Sequence, residues 1–106
     1  MTDTSWAAFE ARLDEAAARI DGVRRRSTPE GVRYERDGVE FATVAADQVA
    51  FRLLPDIARV ALRTPDVTPS VRGQEWIVLS PDRMDVFTYD RAVSWFESAA
   101  RHAADH

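Results

Sequence analysis

Fourteen arginines and no lysine supply the strong cations of this 106-residue chain, and three of them stand together as Arg24, Arg25 and Arg26. With Arg33 and Arg36 they face only Glu30 and Glu35 within residues 23–36. Guanidinium clusters of this kind pair with carboxylates or neutralise phosphates. The phosphate option predicts DNA contacts through Arg24, Arg25, Arg26, Arg33 and a loop arginine, Arg72. A formal net charge of −4 opposes it, because each nearby carboxylate repels the same phosphates. DNA is therefore the alternative partner, not the first.

Other chemistry has less to work with. His102 and His106 are spaced to share a helix face, as two ligands of a zinc or nickel ion would be, but beyond Asp105 no third ligand is near. The absence of cysteine removes disulfides, thiolate nucleophiles and cysteine metal sites. The absence of lysine removes Schiff-base and P-loop chemistry. Gly22, Gly31, Gly38 and Gly73 are too scattered to cradle a phosphate. No catalytic residue, metal or cofactor is expected, and the chain reads as a non-enzyme.

The elements that would position these groups follow from periodicity. Trp6, Phe9, Leu13, Ala16, Ala17 and Ile20 recur at three and four, predicting an amphipathic helix over 4–21. Thr4 or Ser5 would cap it, and Gly22 would end it, with the arginines in the loop beyond. Asp37-Gly38 between alternating runs predicts a hairpin with Tyr34 opposite Phe41 and Val32 opposite Thr43. A three-residue loop near Ala46-Asp47-Gln48 would then set Thr43 against Phe51 and Phe41 against Leu53. Pro55 opens a short helix through Arg63. After a loop, an apolar strand EWIVLS follows, then a weaker strand over Asp85–Thr88 and a last helix over 90–103. Trp76 is expected in the core, with Trp6 and Trp95 packing beside the helix stripes.

The resulting order is α-β-β-β-α-β-β-α, an α+β domain in two layers with an antiparallel sheet and helices on one face. One domain spans 1–106, and 45% apolar residues suffice for its core. No run is long enough to cross a bilayer, and the N-terminus lacks a signal-peptide pattern, so no membrane contact and a cytoplasmic location are expected.

GVEFATV, VAFRLLP, a short helix, RGQEWIVL and a closing amphipathic helix together resemble the YjbR/MmcQ family of small bacterial proteins. The resemblance covers roughly residues 20–103. It implies a CyaY-like or secretion-chaperone-like fold, no established catalytic activity, and a DNA-binding label inferred from fold. In the similarly folded frataxin group an acidic first helix serves iron, but here Arg12 and Arg19 interrupt the acids.

The sheet face away from the helices is the other candidate surface. The expected register places Arg33, Glu35, Glu40, Ala42, Val44 and Arg52 there, with Ala50 between them. Glu35 and Glu40 would stand opposite each other, tolerable if Arg33 and Arg52 flank them. Small apolar residues ringed by opposite charges suit a protein partner or a homodimer.

Overall fold

The computed structural model describes residues 6–82 and 85–105. Helix α1 spans Trp6–Ala18, and strands β1 (Val23–Thr28), β2 (Gly31–Arg36), β3 (Val39–Ala45) and β4 (Gln48–Arg52) follow. Helix α2 (Pro55–Ala61), strands β5 (Val67–Ser70) and β6 (Gly73–Leu79), and helix α3 (Val86–Ala104) complete the chain. The six strands form one antiparallel sheet in the order β1-β2-β3-β4-β6-β5. The helices form a second layer, α1 beside β1, α3 across β2 to β4, and α2 against β6. The expected α+β class with an antiparallel sheet is therefore present. The helix caps expected at Thr4 or Ser5, and the residues Arg83 and His106, lie outside the described residues.

Three elements differ from expectation. The arginines do not fill a loop: they form β1, so four strands rather than three precede α2. Thr28-Pro29-Glu30-Gly31 turns the chain between β1 and β2, with Pro second and Gly fourth as a type I turn prefers. Residues 67–70, expected as loop, pair with β6 as the far edge. Residues 85–88, expected as strand, begin α3 instead. Asp85 is its N-cap, its side chain accepting from the Thr88 N–H at 2.9 Å.

The register also differs, for one local reason. Arg36 pairs with Val39 across Asp37-Gly38 as expected, both turn residues having positive φ. A β-bulge then lets β3 gain one residue, so Tyr34 meets Ala42 rather than Phe41, and Val32 meets Val44. The next turn has two residues, Ala46 and Asp47, and sets Ala42 against Phe51 and Thr43 against Ala50. Ala46 takes φ 54° without being glycine, which no sequence signal announces. Ala42 and Val44, expected on the open face, are consequently 0% and 3% exposed in the core. Thr43, expected in the core, replaces them on the open face.

The core forms between these layers. Phe96 of α3 meets Tyr34 and Phe41 edge-on, with centroids 5.0 and 5.1 Å away. Trp95 lies 6.3 Å from Phe51, and Trp6 stacks on Phe9 at 4.9 Å, both tryptophans packing as expected. Tyr34 donates its hydroxyl to Asp14 at 2.7 Å, and Arg25 reaches the same carboxylate at 3.0 Å, fastening α1 over β1 and β2. Burial, then the bond to Asp14, pushes the Tyr34 hydroxyl well above its ordinary pKa, so it stays a donor.

Gly31 tests the β2–β3 approach. At φ 154°, a Cβ placed there would stand 2.0 Å from the Val44 carbonyl oxygen. Gly31→Ala should destabilise by about 2 kcal/mol or more in urea unfolding. A loss under ~0.5 kcal/mol would show that the strands part more easily than this packing implies.

Candidate functional site

The helix layer leaves the opposite sheet face open, and directly paired residues share a face. Arg24 and Arg26 stand there against Glu35 and Arg33; Arg33 in turn faces Thr43, and Thr43 faces Ala50. Ala50 faces Val78, and Val78 faces Thr68. The open face is thus charged over β1 to β3 and small or apolar over β3 to β5.

The charges are matched in detail. Glu35 and Glu40 are opposite each other, as the Asp37-Gly38 hairpin requires. Arg26 lies 3.4 Å from Glu35. Arg33 Nε lies 3.2 Å from Glu40 Oε2 without forming a hydrogen bond, so charge alone holds that pair. Thr43 donates to Glu40 Oε2 at 2.6 Å, and Arg72 Nη2 donates to Glu40 Oε1 at 2.7 Å. Arg72 Nη1 also reaches Thr43 Oγ1 at 3.2 Å. Trp76, expected in the core, is only partly buried and lies outside it: the Arg72 guanidinium sits 3.5 Å from its ring centroid in a cation–π stack. Partial burial works against ionisation of Glu40. The donors on Thr43 and Arg72, with the Arg33 charge, outweigh it and hold this carboxyl below its usual range.

The five arginines proposed for phosphate binding do not form one basic surface. Arg25 turns to the helix side, 3.0 Å from Asp14 and 3.7 Å from Glu10. Arg26, Arg33 and Arg72 each meet a carboxylate on the open face. Arg24 is exposed and has no ion pair among the described residues; it borders a hollow of about 310 Å³ with Gly22, Arg26, Glu35, Asp37 and Gly38. Of the interface candidates, Arg33, Glu35 and Glu40 are where the register places them, whereas Ala42 and Val44 are core. Arg52 keeps its register place, opposite Trp76 and two residues along from Ala50. It is 15% exposed and bonds Glu75 at 3.0 Å; Glu75 lies 3.4 Å from His102, tying α3 to the strand ends. His102 therefore faces a carboxylate. No group of three or more His, Asp or Glu able to hold a metal occurs among the described residues.

Thr43, Val78 and the Arg72–Trp76 stack are the parts of this surface that sequence reasoning missed, whereas Ala50 lies there as expected. Thr43, Ala50, Arg72 and Val78, with Ala45, Gln48, Thr68 and Ser70, bound a trough of about 420 Å³, rimmed by Val71 of the β5–β6 turn. The four-residue spacing of Arg72 and Trp76 around Gly73 was the only available sign. No protein-family model, curated protein or solved structure matches this chain. No helix among the described residues is long and apolar enough to cross a membrane.

Glu40 makes the network pH-dependent with a definite sign. A carboxyl whose folded pKa is lowered contributes stability above its unfolded pKa, ~4.3, and loses it as pH falls through the folded value. Glu40→Gln should reduce the drop in melting temperature on acidification below about pH 4.3, leaving the part due to Glu75, whose pKa is also lowered. At neutral pH it should destabilise by roughly 1 kcal/mol or less, since Arg33 and Arg72 lose a charged partner while the Gln carbonyl still accepts. Identical acid profiles for the two proteins would contradict this assignment.

Proposed function

We propose that this chain is a non-enzymatic binding or adaptor domain of the YjbR/MmcQ type, docking a second copy or another protein through its open sheet face. One observation carries the reading: helices cover only one side of the sheet, and on the other matched charges border a strip of small residues, Ala45, Ala50 and Val78. Paired charges present both signs to a partner, which favours register and specificity over attraction to a uniformly charged surface. The small side chains permit close approach of a second surface, and a two-fold arrangement could set strip on strip. A cytoplasmic location accords with this role and with a chain free of cysteine.

Nucleic acid is the alternative reading, and Arg24 is what favours it. Arg25, Arg26, Arg33 and Arg72 already have carboxylate partners, so few phosphate charges would be neutralised without first breaking ion pairs.

Light scattering over a concentration series tests the first reading. A dimer of the 11.9 kDa chain is expected, with Ala50→Arg returning it to monomer while leaving the fold intact by circular dichroism. If the wild type stays monomeric, the same substitution should remove proteins captured by the immobilised domain. A monomer whose captured proteins are indifferent to Ala50→Arg would overturn the reading. Salt-sensitive duplex DNA binding, lost when Arg24, Arg25 and Arg26 become Ser, would replace it with the alternative.

A further inference from the structure

The two edges of the sheet are unequal, and the difference lies in the main chain. Hydrogen-bonded pairs alternate along an antiparallel ladder. On the β5 side, Ser80 N–H donates to Asp66 C=O at 2.8 Å, so Asp66 and Thr68 direct their main-chain groups to β6, and Val67 and Pro69 direct theirs outward. Neither outward residue offers a free donor. Val67 N–H is taken by Thr64 C=O at 3.3 Å, and Pro69 has none. This edge is closed to further pairing, as natural sheets commonly require.

On the β1 side, Asp37 N–H donates to Gly22 C=O at 3.3 Å, so Gly22, Arg24 and Arg26 face β2. Val23, Arg25 and Ser27 then face outward. Val23 N–H reaches back to Ile20 C=O at 3.5 Å, but the main-chain N–H groups of Arg25 and Ser27 have no bond to any described residue. Both residues are exposed. The edge thus offers two donors and two acceptors at the spacing of a strand, with no proline to block them.

The side chains say what would lie there. Arg24 and Arg26 flank this edge on the open face, and Arg24 lacks an ion pair among the described residues. On the helix side Arg25 is already covered by Glu10 and Asp14, which would repel another acid. A second copy of β1 would bring arginines against arginines, which is unfavourable. We propose that β1 is a docking edge for an extended peptide of a protein partner, with acidic residues at alternate positions and uncharged ones between. The added strand pairs with the main chain of Arg25 and Ser27, its acids meet Arg24 and Arg26, and its uncharged residues lie beside Arg25 and Ser27. The inference rests on reading the chain as a binding domain and adds a surface distinct from the Ala50 strip.

The test uses a fluorescent acetyl-Thr-Glu-Val-Glu-Val-Glu-Thr-amide peptide titrated with the full chain, followed by anisotropy at low and high salt. Saturable binding that weakens with salt is expected, with Arg24→Glu combined with Arg26→Glu reducing affinity by about tenfold or more. Ser27→Pro should abolish binding without removing any charge. It places on β1 the same obstruction Pro69 places on β5, at a position whose N–H does not serve the β2 ladder. Should that variant unfold, a peptide N-methylated on alternate residues makes the same measurement on the wild-type chain: one methylation register should lose binding and the other keep it. Ala50→Arg should leave this binding unchanged, so failure of the open-face reading and failure of the edge are separable. The proposal is overturned if the peptide does not bind at low salt, or if binding survives both Ser27→Pro and each methylation register. It is overturned equally if an oligothymidine of similar charge binds as well and competes, because charge alone would then suffice.

Discussion

Between Glu40 and Ala42, β3 carries one residue more than the strand beside it, so Phe41 and Ala42 both join the core while Glu40 and Thr43 remain on the open face. The rest of the site depends on that extra residue. Without it, strict alternation would place Thr43 under α3 and expose Ala42 and Val44. The bulge lets one strand satisfy a core that needs Phe41, Ala42 and Val44, and an outer face on which Glu40 and Thr43 both accept from Arg72.

Charge is organised by the same geometry. The hairpin obliges Glu35 and Glu40 to oppose each other, and like charges so placed destabilise a sheet unless each finds a partner. Glu35 finds Arg26 on one side, and Glu40 finds Arg33 and Arg72 on the other. Planar guanidiniums suit this better than ammonium groups, since Arg72 can bond Glu40 and Thr43 in its own plane while stacking on Trp76. Exposed pairs of this kind contribute modestly to stability. Their larger effect is to fix side-chain positions on a face that the helices leave uncovered.

Features with a strong local cause were legible in the sequence. The helix stripes through Phe9 and Leu13, and through Phe96 and Ala99, are buried as their spacing implies. The Asp37-Gly38 turn and the Pro55 helix start lie where their residues place them. Features whose cause lies elsewhere in the fold were not. β1 carries charge where a buried strand would carry apolar residues, because its outward side meets water and its inner arginine meets the acids of α1. β5 is an edge holding Pro69, which reads as loop until its partner is known. Val86 and Phe87 suggest a strand by type, yet Phe87 is 76% exposed and the Asp85 cap decides for helix. The bulge has no signature at all, and it moved Ala42, Thr43 and Val44 to the opposite sides.

Net charge is a poor guide to what such a surface attracts. The chain totals −4, but exposed charges separated by more than about 8–10 Å scarcely feel one another at physiological salt. What matters at β1 is the arrangement within one strand's reach. Arg25 is committed to α1 and Arg26 to Glu35, while Arg24 stands free of such pairing among the described residues. Glu10 and Asp14 are therefore not merely excess acid diluting a basic patch. By occupying Arg25 they make the helix side of the edge unwelcoming to further acids and leave the open side receptive. That one-sidedness has the period of a β-strand, which an extended peptide shares and a phosphate backbone does not.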